Sequence, residues 1–135
     1  MLALAVAGAS LYWAPALTGR LARLRPLLGV RDRVDTTGGA ALTFDDGPHP
    51  EGTPAVLELL RDANARATFF LSGEQVARRA PLAAEIVAAG HEVGVHCQRH
   101  RNLLRLSPQQ VGDDLRRAED VIASATGRQP RLYRP

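Results

Sequence analysis

Two short polar segments of the chain carry residue types that bind metal ions. The first is Asp45-Asp46, directly after the apolar residues 40–44, and the second contains His96 and His100. Adjacent carboxylates repel each other unless a cation binds them, whereas Asp-Gly is also a common turn dipeptide. On the aspartates alone, a binding site and a simple turn are equally good interpretations.

The two histidines are separated by four positions. If this segment makes a helical turn, both imidazoles lie on one face, where a divalent ion such as Zn²⁺ can bridge them. The spacing by itself is more often that of two unrelated polar residues in a loop. Both histidines follow an apolar run, as the aspartates do, and this favours a metal site.

Apolar runs alternate with amphipathic segments from residue 40 to the end of the chain. This pattern predicts buried strands over residues 40–44, 67–71 and 92–96, and the beginning of a fourth strand over 131–133. It predicts helices over residues 53–63, capped by Thr53, over 73–89, with an interruption considered at Pro81, and from the Ser107–Gln110 capping box to Gly127. Such alternation is typical of an α/β fold with parallel strands, whose carboxyl ends lie at one edge of the sheet.

The remaining histidines and the single cysteine are predicted to be structural or peripheral. His49 lies in a Gly-Pro-His-Pro turn and is interpreted as a rim residue. His91 precedes the third strand, so it should lie at the end of the sheet away from the metal site. Cys97 is a soft metal ligand by chemistry, but its side chain should point away from its two histidine neighbours.

Composition argues for a folded domain and against a nucleic-acid partner. The chain has 135 residues with 45% hydrophobic side chains, enough for one core. The net charge is +3, all 17 basic residues are Arg, and acidic residues are interspersed among them. Few aromatic residues are available to stack on bases.

The first 35 residues are predicted to be a separate apolar segment and linker, with the compact domain over residues 36–135. Residues 1–18 carry no charged side chain, and this uncharged stretch is about as long as a short bilayer span. We therefore consider membrane association through residues 1–30, and a helix packed on the domain is the alternative. A membrane-anchored or cell-envelope location is favoured over a cytoplasmic one.

Several segments together resemble the polysaccharide deacetylases, also called NodB-homology or chitin-deacetylase-like enzymes. Residues 43–49, TFDDGPH, resemble the first motif of that family, and residues 96–100, HCQRH, resemble its second motif, His-(Ser/Thr)-x-x-His. Residues 132–135, LYRP, resemble the beginning of the third motif. The resemblance implies the N-terminal half of an irregular (β/α)7 barrel.

The resemblance also implies a role for each motif residue. Asp46, His96 and His100 resemble the metal ligands, for zinc in the first place and otherwise cobalt or another divalent ion. Asp45 resembles the general base that takes a proton from the attacking water, and Arg134 resembles the arginine that orients it. The implied activity is hydrolytic removal of N-acetyl groups from carbohydrate, such as peptidoglycan, a chitin-like polymer or another N-acetylglucosamine glycan.

The sequence departs from the family pattern at two places. Cys97 replaces the usual Ser or Thr of the second motif. The third motif is cut at Pro135, and the later motifs, which supply the family's general acid, do not follow in this sequence. The alternative hypothesis is therefore a truncated, non-catalytic fragment that retains only part of the metal site.

Overall fold

The computed structural model describes residues 38–135, so the predictions for residues 1–37, including the apolar segment and most of the linker, lie outside the described residues. Three parallel strands alternate with helices in the described part. Their bounds are β1 Leu42–Gly47, α1 Gly52–Asp62, β2 Ala67–Ser72, α2 Gly73–Arg78, α3 Ala80–Ala88, β3 Glu92–Cys97, a 3₁₀ turn at Leu103–Arg105, and α4 Pro108–Thr126. The predicted α/β class with parallel strands is confirmed.

The sheet has the order β1-β2-β3, and the segment after α4 adds to its far side. Tyr133 forms a parallel bridge with Val95, whose N–H donates to Leu132 O at 2.8 Å and whose carbonyl accepts from Arg134 N at 3.0 Å. The predicted fourth strand therefore begins beside β3. This pairing places Arg134 at the same sheet edge as the ends of the other strands.

The predicted burial of β1 is wrong for the described residues. Most of its side chains are exposed, including Leu42. Among residues 38–135, β1 pairs only with β2, so one of its backbone edges and much of its surface have no strand beside them. An apolar run therefore identifies the strand but not its position at the sheet edge.

α1 begins differently from the prediction. Thr53 does not cap it, because the helix already starts at Gly52 and Thr53 Oγ1 accepts a hydrogen bond from His49 N at 2.9 Å. The ring of His49 caps the helix instead, since its Nδ1 accepts from Gly52 N at 3.0 Å and from Glu51 N at 3.3 Å. His49 is exposed, as predicted for a turn residue at the rim.

The predicted helix over residues 73–89 is broken into α2 and α3. The break is at Arg79, whose φ of −144° and ψ of 48° are not helical. Pro81 explains it, because its ring would collide with the carbonyl oxygen four residues earlier and its nitrogen has no hydrogen to donate. The expected interruption is confirmed, two residues before Pro81.

α4 is the long helix that covers the sheet, and its ends agree with the prediction. Ser107 and Gln110 form the capping box, and Gly127 ends the helix in the left-handed conformation with φ of 67°. Ala118 and Ile122 are fully buried against α2, α3 and the sheet, with Leu71, Val76, Ala83 and Ile86. Leu60 of α1 belongs to the same cluster, so the core lies between the helices and the sheet. This packing fixes the strand ends that carry the polar residues.

Among the described residues, no helix combines the length and the apolar character needed to cross a bilayer.

Candidate metal centre and its aspartate–arginine neighbour

Three predicted site residues converge at the carboxyl ends of β1 and β3. Asp46 Oδ1 lies 3.3 Å from His96 Nε2 and 3.7 Å from His100 Nε2. One ligand atom from each residue lies within 4.8 Å of the others. Donors bound to one ion at about 2.1 Å in tetrahedral geometry are about 3.4 Å apart, so the arrangement fits a single divalent ion.

A backbone irregularity turns Asp46 toward the histidines. In the pairing of β1 with β2, Asp45 is opposite Phe70 and Gly47 is opposite Leu71, so Asp46 is the extra residue of a bulge. Its φ of 64° is unusual for a residue with a side chain. Bulges redirect side chains next to functional sites, and this one separates the directions of two consecutive carboxylates.

His96 occupies a second irregularity, on β3. Leu71 is opposite Val95 and Ser72 is opposite Cys97, so the register skips His96. The helical turn considered for residues 96–100 is wrong, because His96 belongs to the strand and His100 follows in the loop after it. The two rings nevertheless come together, with centroids 5.5 Å apart.

The tautomer of His96 is fixed by its second ring nitrogen. Nδ1 lies 2.8 Å from the carbonyl oxygen of Arg134. A carbonyl can only accept, so Nδ1 carries a hydrogen and Nε2 is the ring nitrogen left to bind a metal ion. The side chain of His96 is only 11% exposed, whereas Asp46 is 61% and His100 72% exposed. His96 is thus the most rigidly oriented of the three.

The other two predicted site residues form an ion pair beside this cluster. Arg134 Nη1 donates to Asp45 Oδ1 at 3.0 Å and to Thr43 Oγ1 at 2.9 Å. The guanidinium carbon lies 4.2 Å from the centre of the Phe70 ring. Arg134 is therefore held by a carboxylate, a hydroxyl and an aromatic face, and it joins the last described segment to β1.

Gly94 makes room for this arrangement. A Cβ at Gly94 would lie 2.8 Å from two carbon atoms of the Phe70 ring and 2.9 Å from Leu132 O. We expect Gly94→Ala to destabilise the fold by about 1–3 kcal/mol, because the ring or the backbone beside Arg134 must move. Urea unfolding measures this effect.

A matched control for that substitution is Gly112→Ala, inside α4. Its Cβ would meet only the flexible end of Arg116, at 3.5 Å. Alanine is the better helix former, so this variant should be as stable as the original or more stable, by up to about 1 kcal/mol. Equal stability of the Gly94→Ala and Gly112→Ala variants would contradict the packing role of Gly94.

The histidine and cysteine predicted to be structural lie where expected. His91 is buried just before β3, with its ring 5.5 Å from that of Phe69, and burial together with nearby Arg66 lowers its pKa. Cys97 is buried and donates to Ser72 Oγ at 3.9 Å. Burial raises the pKa of the Cys97 thiol, which opposes formation of the thiolate that a metal would need.

One of the cavities lies away from the candidate metal centre. A volume of about 410 Å³ is lined by Arg66, His91 and parts of α1, near the amino ends of the strands. The histidine pair instead borders a smaller depression of about 180 Å³. Size therefore does not identify the candidate site, whereas the convergence of donors does.

Comparison with known proteins agrees with the motifs. The family model described as polysaccharide deacetylase matches residues 33–135. The chain belongs to this family. A curated relative, the chitooligosaccharide deacetylase of a Bradyrhizobium strain, is 43% identical over 103 residues, covering 74% of this chain and 47% of the relative. A peptidoglycan-N-acetylglucosamine deacetylase of Bacillus cereus is 36% identical over 95 residues, covering 70% and 34%.

Solved structures of this polysaccharide deacetylase family share the fold. A family 4 acetyl xylan esterase from Clostridium thermocellum, in complex with a cobalt ion, is 35% identical with a TM-score of 0.67, covering 70% of this chain and 47% of that one. A CE4 family pseudoenzyme from Bacillus anthracis is 34% identical with a TM-score of 0.66, covering 69% and 33%. The predicted (β/α) barrel class is confirmed by this likeness. The chain spans less than half the length of these relatives.

The sequence did not identify Asp114, whose side chain contacts the segment around His100. Its side chain is 3% exposed and bonds to Gln98 N and to Arg101. A signal was present, because Asp114 lies on the same helical stripe as Val111, Ala118 and Ile122. A charged residue in an apolar stripe indicates a specific partner.

Proposed function

We propose that this chain carries the metal-binding part of a hydrolase that removes N-acetyl groups from carbohydrate. The observation that carries the proposal is the convergence of Asp46, His96 and His100 next to the Asp45–Arg134 pair. Membership of a family that includes chitooligosaccharide and peptidoglycan deacetylases supports the reaction class.

The ligand set suits a divalent ion, with zinc as our first choice and cobalt as the alternative. One carboxylate and two imidazoles are the donors of many catalytic zinc sites, and three protein ligands leave positions for other groups. A bound ion would supply Lewis acidity toward the acetyl carbonyl and lower the pKa of water. The cobalt complex of the related esterase is consistent with either metal.

Asp45 is proposed as the general base. The ion pair with Arg134 uses Oδ1, and within residues 38–135 no hydrogen bond to Oδ2 is seen, so Oδ2 can take the proton of an attacking water. Arg134 orients this carboxylate, and Thr43 and Phe70 hold Arg134 in turn. Because the bulge at Asp46 separates the directions of the two adjacent carboxylates, Asp46 can bind the metal while Asp45 acts as the base.

The proposed substrate is an N-acetylglucosamine glycan. The named relatives act on chitooligosaccharide and on peptidoglycan, and the related acetyl xylan esterase makes an O-acetyl group a third choice. Membrane association through residues 1–30 and a cell-envelope location stay predictions from the sequence.

A second candidate is a non-catalytic member of the family. The specific observation in its favour is the likeness to the Bacillus anthracis pseudoenzyme. Such a protein would retain the metal donors and fail to release acetate.

The experiment is to supply the purified protein with Zn²⁺ or Co²⁺ and to measure acetate released from an N-acetylglucosamine oligomer, from peptidoglycan and from acetylated xylan. We expect acetate release that needs the metal and that a chelator abolishes, with an N-acetylated glycan preferred. Metal binding without acetate release from any of the three would favour the non-catalytic candidate. Metal-independent release would contradict the proposed chemistry.

A further inference from the structure

His100 is the least supported of the three proposed ligands. Its side chain is 72% exposed, so packing does not orient it. Its position depends on the backbone of residues 98–101, here called the His100 loop. Whatever fixes this loop also fixes the distance from His100 to His96 and Asp46.

Asp114 binds the His100 loop on both sides of the histidine. Its Oδ2 accepts from Gln98 N at 2.7 Å, two residues before His100, and its Oδ1 accepts from Arg101 Nη2 at 2.5 Å, one residue after it. The carboxylate is 3% exposed, so these bonds are shielded from water. A single buried side chain thus connects α4 to both flanks of the exposed ligand.

A second contact holds the same peptide from the other side. Gln98 O accepts from Glu74 N, at the start of α2, at 2.9 Å. Both backbone polar groups of Gln98 are therefore bonded, one to α2 and one to Asp114. The loop is attached to two helices of the core, and of these two attachments the one through Asp114 also reaches the residue that follows His100.

We propose that Asp114 is a positioning residue for the metal centre and sets its affinity through the His100 loop. This inference rests on the proposed function, because it requires Asp46, His96 and His100 to be the ligands. Groups that orient metal ligands from outside the coordination sphere change metal affinity about 10–100-fold when they are removed. Asp114 meets that description through the backbone rather than through a histidine ring.

The test is Co²⁺ affinity, measured by competition with a chelator, together with the visible absorption spectrum of the bound cobalt. Asp114→Ala should weaken binding about 10–100-fold and alter the spectrum, which reports ligand geometry. Asp114→Asn retains an acceptor for Gln98 N and loses the charge that faces Arg101, so its affinity should fall less. The unfolding midpoint of each metal-free variant is measured in parallel.

The matched control is Asp113→Ala. Asp113 is the adjacent carboxylate on α4, is 56% exposed, and pairs with Arg116 of the same helix. Its removal should leave cobalt affinity and spectrum unchanged. If Asp114→Ala does not fold, Asp114→Asn and Arg101→Ala still test the inference, and wild-type cobalt binding by both would overturn it.

The outcomes separate this inference from the proposed function. Wild-type cobalt affinity and spectrum in folded Asp114→Ala, with binding lost in His96→Ala, would overturn the role of Asp114 alone. That role would equally be overturned if the unfolded fraction of Asp114→Ala fully explained its weaker binding. No cobalt binding by the unaltered protein would overturn both proposals.

Discussion

Asp45→Asn is expected to remove most turnover, about 10²–10⁴-fold, and to leave metal content nearly unchanged. The amide cannot take a proton from water, yet it keeps the size of the side chain and an oxygen that can accept from Arg134. Asp45 Oδ1 is bonded to Arg134 and is not part of the Asp46–His96–His100 cluster. The measurement is acetate release by a catalytically active form of the protein, with metal content determined on the same sample.

Thr43→Val is the control for that substitution. It removes the neighbouring hydrogen bond to Arg134 without touching the carboxylate. A neutral hydrogen bond contributes about 0.5–1.5 kcal/mol, so this variant should lose at most about tenfold in rate. Equal losses in the two variants would mean that Asp45 acts only by holding Arg134.

His96→Ala is expected to lose the metal, and activity with it. This side chain is the most buried of the three proposed ligands and is oriented by the Arg134 carbonyl. The two donors that remain are exposed. Removing an orienting partner alone typically costs about 10–100-fold in metal affinity, and removing a ligand should cost more. Metal content after dialysis, compared with that of the unaltered protein, measures the loss.

The comparison between the two variants is the sharper test. Asp45→Asn should retain metal and lose turnover, whereas His96→Ala should lose both. If Asp45→Asn lost metal as completely as His96→Ala, the assignment of Asp45 as the general base and Asp46 as the metal ligand would be wrong. His49→Asn is a further control. His49 caps α1 through Nδ1 and is not one of the proposed ligands, so this substitution should leave metal content unchanged.

The order and type of the elements could be predicted because their signals are local. The capping box at Ser107, the glycine at position 127 and the proline at position 81 each act within a turn or two of the chain. The predicted cap of α1 is wrong because the local signal there is ambiguous. Thr53 and His49 are both able to cap, and only the path of the turn decides which one does.

The sequence predicts which residues form the site better than it predicts the backbone geometry that orients them. The residue types and the predicted strand ends were enough to place Asp46, His96 and His100 at one sheet edge, where the structure also has them. The bulges at Asp46 and His96 could not be predicted, because each depends on register with β2. Aspartate tolerates the left-handed conformation found at Asp46, but its presence alone does not predict that conformation. The exposure of β1 depends on which strands flank it.

A crystal structure of the protein soaked with Co²⁺, with the ion located by its anomalous scattering, tests the central claim most directly. We expect one ion at about 2.0–2.2 Å from Asp46 Oδ1, His96 Nε2 and His100 Nε2, with Asp45 remaining on Arg134. An ion bound by Asp45 in place of Asp46, or histidines that bind separate ions, would contradict this account.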